Sequence, residues 1–183
     1  MIVKKVRNPR RSSSTGVRIT RLADYIDAPE YGKQQQENPK TQRIEGLGEY
    51  LHNPVNIQSQ EKCIYSGARG FQAKTHAGQK AEMRTLAQEA VRSKDPINHY
   101  VLSWQEGEQP TPKQVEQAVD LFLEELGLQD HQVFFGLHVD TDNVHLHLMI
   151  NRVHPDTLRV IKPNKGFDLE AAPRAIARFE HAQ

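Results

Sequence analysis

The sequence predicts an α+β fold, a central and mostly antiparallel sheet flanked by helices. Three observations carry that prediction. Residues 131–139 (HQVFFGLHV) and 144–153 (VHLHLMINRV) are two apolar strand-like runs joined by a short polar turn, DTDN, the pattern of an antiparallel hairpin. Elsewhere the apolar period switches to that of a helix, most clearly over 112–126. No internal repeat is visible, and helices mixed with mostly antiparallel strands point to an α+β sandwich.

Taken in order, Ile2, Val3 and Val6 open the chain as a short strand, followed by a turn-rich cationic loop, RNPRRSSSTG. Ile19, Leu22, Ala23 and Ile26 recur at helical spacing and predict a short amphipathic helix over 17–27, ended by Pro29. Residues 29–75 are the least regular stretch and are expected to form long loops with short strands. From Ala77 to Lys94 apolar residues sit about one helical turn apart, and Asp95-Pro96 closes that helix. INHYVLSW, residues 97–104, is rich in β-favouring residues and reads as a buried strand. Next, Thr111 and Gln114 form a capping box with Pro112 at the first helical position. Val115, Ala118, Val119, Phe122, Leu123 and Leu126 make the stripe, and Gly127 stops it. After the hairpin, a short strand at 158–162 and a helix from about 169 complete the layout. Gln183 ends that helix without a cap, so residues 1–183 are expected to be one domain cut from a longer protein.

With 183 residues, 37% hydrophobic and 26% charged, the composition suits a soluble globular domain. No apolar run approaches the roughly 20 residues that cross a bilayer, and no signal peptide follows the charged start, so a cytoplasmic location is expected. The single cysteine, Cys63, excludes an internal disulfide and a multi-cysteine zinc site. Any metal must then be held by histidines and carboxylates. The net charge of +1 hides a strong asymmetry. Residues 1–22 carry Lys4, Lys5, Arg7, Arg10, Arg11, Arg18 and Arg21 and no acid. Residues 95–130 carry eight acids against the single base Lys113. The basic stretch is either a solvated tail or a polyanion-binding edge.

Chemistry concentrates in HVDTDNVHLHLMIN. Side chains alternate faces along a strand, so His145 and His147 point the same way about 7 Å apart. The hairpin brings His138 beside them. Three convergent imidazoles with coordination positions left open describe a catalytic metal site. Imidazoles suit zinc, manganese or nickel, and a substrate phosphate adds the oxygens that make Mg²⁺ or Mn²⁺ reasonable. Asp142 and Asn143 fit a turn role, and Asp140 is open to a role behind the ligands.

Tyr25 is the tyrosine with a chemical setting. On a helical wheel it clusters with Arg18 and Arg21 away from the apolar stripe, which suits attack on a phosphodiester. An ordinary surface tyrosine is the alternative.

The run LHVDTDNVHLHLMINRVHP resembles motif III of MOB-P type conjugative relaxases, members of the HUH endonucleases. The first histidine stands seven residues before the His-x-His pair, an aspartate two after it, and Asn151-Arg152 four beyond the last histidine. HYVLSWQEGEQPT resembles the family's motif II, whose serine falls on Ser103. RLADYI resembles motif I, whose nucleophilic tyrosine falls on Tyr25. The resemblance spans residues 1 to about 165.

That resemblance implies strand-specific nicking and rejoining of single-stranded DNA at an origin of transfer. It implies a 5′-phosphotyrosyl link through Tyr25, a divalent ion on His138, His145 and His147, and contributions from Ser103 and Asp140. Mg²⁺ or Mn²⁺ is expected, with Zn²⁺ or Ni²⁺ able to substitute in crystals. DNA contacts are expected from Lys4, Lys5, Arg10, Arg11, Arg18, Arg21, Arg69, Ser103, Asn151 and Arg152. Residues 29–75 depart from the family in being longer than it generally needs: they are either a flap that clamps single-stranded DNA, with Arg69 and Phe71 as phosphate and base-stacking contacts, or a disordered insertion. Accessory proteins of the relaxosome and a coupling protein are the implied partners, with the chain travelling on the DNA out of a bacterial cytoplasm. Rolling-circle initiators and transposases of the same superfamily place the tyrosine after the histidine motif, and the helix from about 169 has none. A histidine-ligated hydrolase or oxygenase acting on a small molecule would work without DNA and without Tyr25.

Overall fold

The computed structural model describes residues 1–6, 14–27, 63–91, 93, 95–139, 143–161 and 167–181. Five strands form one sheet: β1 (Ile2–Val6), β2 (Cys63–Arg69), β3 (Ile97–Ser103), β4 (Val133–His138) and β5 (His145–Asn151). Every neighbouring pair is antiparallel, in the order β1-β3-β5-β4-β2. Four helices are described: α1 (Thr15–Asp27), α2 (His76–Gln88), α3 (Pro112–Leu126) and α4 (Phe167–His181). None of the described helices is long and apolar enough to cross a membrane.

The predicted α+β class and central hairpin hold. Strand alternation decides which helix pair covers which face. Leu146, Leu148 and Ile150 of β5 join Tyr100, Leu102, Phe135 and Leu137 in a large core with Val119, Phe122 and Leu123 of α3. On the opposite face Met149, Phe134 and Ile97 meet Ile19, Ala23 and Ile26 of α1 and Met83 of α2. The capping box of α3 forms as read: the Thr111 backbone N–H donates to Gln114 Oε1 at 2.8 Å, and Gln114 N–H to Thr111 Oγ1 at 3.2 Å. Gly127 takes the left-handed conformation, φ 66°, that ends the helix.

Several expectations are corrected. The irregular stretch holds a full seven-residue edge strand, β2, while 28–62 lies outside the described residues. Helix α2 stops at Gln88 instead of Lys94, because the next hydrogen bonds tighten to i→i−3: Glu89 N–H to Leu86 O and Ala90 N–H to Ala87 O. Of the strand expected at 158–162, the described residues 158–161 form one bridge, Val153 to Val160, and 162 lies outside the described residues.

Four residues expected on DNA are engaged within the fold. Arg18 pairs with Asp95 and donates from Nη2 to the Ile97 carbonyl at 2.6 Å, tying α1 to the start of β3. Burial lowers its pKa to about 10, which leaves it cationic at neutral pH. Arg69 pairs with Glu116 and Asp120 of α3 and lies over the Phe135 ring. Its neighbour Phe71 stacks on Phe134 with ring centroids 4.8 Å apart. Asn151 is fully buried, donating to Gln132 Oε1 and accepting from Val153 N–H. Arg152 donates to the carbonyls of Ile161 and Asp95. Arg18, Asn151 and Arg152 satisfy buried or half-buried oxygens and so tie strand ends and helices together, whereas Arg69 pairs with acids on the solvent side of α3.

Candidate active site

The strand register lays the site out in rows, since residues directly opposite in an antiparallel pair share a face. One row crosses four strands as Ile2, Ser103, His145 and His138. The next runs Lys4, Val101, His147 and Gly136, then Ser66 on β2. Both rows lie on the face that α1 covers.

Helix α1 brings Tyr25 onto these rows. Its ring stands edge-on to His138 at 5.1 Å between centroids and to His147 at 5.3 Å, and the two imidazoles are 4.5 Å apart. Tyr25 is 37% exposed, so one side of this cluster opens to solvent. Lys4 and Arg21 are also exposed, Lys4 in the His147 row and Arg21 on α1. Lys5 lies over the Tyr100 ring on the other face. Arg10, Arg11 and Asp140 lie outside the described residues.

A hydrogen bond fixes each imidazole. His138 Nε2 stands 3.2 Å from the Ile26 carbonyl, which only accepts, so that nitrogen carries the proton. Ile26 belongs to the last turn of α1, whose carbonyls lack helical partners. His138 therefore caps the helix that bears Tyr25. His147 Nδ1 meets His99 Nε2 at 3.0 Å, and His145 Nδ1 meets Ser103 Oγ at 2.7 Å. Burial foremost, then the charges of Arg18 and His138, pulls the His99 pKa down to about 4 and keeps that ring neutral at physiological pH.

This donor set suits a divalent ion. Metal-ligating histidines are oriented through the nitrogen away from the ion, and all three rings have such an anchor. The assembled part is the His138–His147 pair. His145, opposite His138 in the register, is engaged with Ser103, and among the described residues no three ligating groups are gathered around one point. The expected convergence of three imidazoles is thus realised for two.

A family model described as "Relaxase: MobA/VirD2-like, nuclease domain" matches residues 50–183. The chain belongs to this relaxase family. Protein MobA of Acidithiobacillus ferrooxidans is 70% identical over 101 residues, 55% of this chain and 25% of that protein. Two TraI proteins of Escherichia coli are 32% identical over 73 residues and 36% over 61, covering 40% and 33% of this chain. The chain spans only a quarter of the MobA relative's length, and 10% and 8% of the TraI relatives'. The matched stretch of the relaxase domain contains Ser103 and the three histidines. Tyr25 precedes it and reaches the site through the packing of α1.

Two residues at the site were not singled out from the sequence. His99 was legible in principle, because alternation in INHYVLS puts it on the Ser103 face. Gly136 was not. A Cβ there would clash with the Ile26 carbonyl oxygen and crowd its side chain, so only glycine lets the last turn of α1 seat against β4. Gly136→Ala should lift that turn and separate Tyr25 from His138 and His147; on the function proposed below it should slow nicking by about 100-fold, the cost of roughly 1 Å of misplacement. Single-turnover cleavage of an oligonucleotide carrying the nick site measures the loss, which retained tight DNA binding distinguishes from unfolding.

Proposed function

We propose that this relaxase domain, residues 1–183, cuts and rejoins one DNA strand at the origin of transfer of a mobile element, with Tyr25 as the nucleophile. The observation that carries the reading is the Tyr25 ring standing against His138 and His147. The phenol oxygen bonds to the scissile phosphorus as the P–O3′ bond breaks. The phenolic proton leaves, the departing 3′ oxygen takes one up, and the 5′ phosphate stays on the tyrosine. One phosphodiester replaces another, so reversal restores the strand without an external energy source.

His138, His145 and His147 would hold a divalent ion, with Mg²⁺ or Mn²⁺ favoured by the phosphate substrate. Bound there, the ion supplies polarisation of the phosphate and offsets the charge that develops in the transition state. Ser103 lies in the histidine row and can donate to a DNA phosphate oxygen. Lys4 and Arg21 draw in the single strand by charge, and Arg10, Arg11 and Asp140 retain their proposed roles on DNA and behind the ligands. Action in a bacterial cytoplasm, together with relaxosome proteins and a coupling protein, completes the proposal.

The test is incubation with a single-stranded origin oligonucleotide and Mg²⁺. A denaturation-resistant protein–DNA adduct that forms with the origin strand, and not with its complement, is the expected result. A free cut end with no adduct means that water is the nucleophile.

A further inference from the structure

Tyr25 is bracketed in the last turn of α1 by two carboxylates, Asp24 and Asp27, and both are gripped from outside the helix. His76, the first residue of α2 after its N-cap Thr75, stands between them, with Nε2 3.5 Å from Asp24 Oδ1 and Nδ1 3.4 Å from Asp27 Oδ2. Lys80, one turn further along α2, pairs with Asp24. Ser66 of β2 donates to Asp27 Oδ1 at 2.5 Å. The His76 ring is itself held edge-on against Phe134 of β4, at 5.4 Å between centroids. Three side chains from two elements, α2 and β2, thus converge on the two carboxylates that flank the tyrosine.

We propose that His76 is a positioning residue for Tyr25: wedged between Asp24 and Asp27 and donating its one ring N–H to either, it works with Lys80 and Ser66 to set the rotation of the last turn of α1 and so the stance of the phenol over His138 and His147. The inference rests on the reading of Tyr25 as nucleophile. Positions 24 and 27 lie on one side of the helix, with Tyr25 roughly 100° from Asp24, so a grip on the two carboxylates fixes rotation about the helix axis. Side chains reach about 5–6 Å from that axis, and a rotation of roughly 10° therefore moves the tyrosine by about 1 Å. Displacement on that scale is enough to cost up to about 100-fold in rate. The seat at Gly136 limits how far the turn can lift away, whereas the carboxylate grip governs how it turns.

His76→Ala and His76→Gln separate positioning from packing, with single-turnover adduct formation, DNA affinity and Tm measured on each. His76→Ala should slow adduct formation about tenfold or more while DNA affinity stays within about twofold. His76→Gln, whose amide still donates to a carboxylate, should recover most of the rate. An alanine variant within twofold of wild type overturns the proposal. So does an equal loss of rate and Tm in both variants, which would reduce His76 to packing against Phe134, or a loss confined to DNA affinity. Tyr25→Phe run alongside keeps the two readings apart. If it still forms adduct, the nucleophile assignment fails; if it is inactive while His76→Ala is wild type, only the positioning role fails.

Discussion

Tyr25→Phe should abolish both nicking and rejoining while leaving the protein folded and bound to DNA. The substitution removes one oxygen and keeps the ring, so the edge contacts with His138 and His147 survive. Without the phenol no phosphotyrosyl bond can form, and adduct formation should fall by about 1000-fold or more, to the detection limit of a gel assay. Tyr65→Phe is the matched control. The Tyr65 hydroxyl donates to Glu116 at 2.5 Å on the α3 side of the sheet, away from the histidine rows, and its variant should nick at close to the wild-type rate.

His147→Ala carries the second large effect. His147 is the hub of the described cluster, touching Tyr25, His138 and His99 at once. Its loss removes a proposed ligand and leaves the His99 nitrogen without this partner. Mn²⁺ affinity by calorimetry and single-turnover nicking should both drop by about 100-fold or more. EDTA treatment of the wild-type protein should reproduce the nicking defect, and added Mg²⁺ or Mn²⁺ should restore it. Full activity in a thoroughly chelated sample would remove the ion from the account.

The parts of the fold legible in the sequence are those that local chemistry dictates. Thr111, Pro112, Gln114 and Gly127 specify both ends of α3 without help from the rest of the chain. The period-2 pattern around Leu146 and Leu148 fixes which side of β5 faces the core, and that same alternation put His145 and His147 together on the other face. What stayed hidden depends on partners far away in sequence. A helical wheel showed Arg18 beside Tyr25 on the polar side of α1, yet Asp95 and the Ile97 carbonyl draw it inward. Arg69 is expected from the sequence to contact a DNA phosphate, and its pairing with Glu116 and Asp120 depends on α3, some fifty residues on. Gly136 carried no local signal, because its meaning lies in the approach of Ile26 from another element. The three-histidine pattern was readable, but the partner that each ring takes, a helix carbonyl, a fourth histidine and a serine, emerged only with the register of the sheet.

Peptide mapping of the covalent adduct decides whether Tyr25 takes the phosphate. Wild-type protein is incubated with a single-stranded origin oligonucleotide and Mg²⁺, the adduct is digested with nuclease and protease, and the modified peptide is sequenced by mass spectrometry. A 5′-phosphorylated nucleotide fragment is expected on the peptide that contains Tyr25 and on no other. A fragment on Tyr31, Tyr50, Tyr65 or Tyr100 would contradict that assignment.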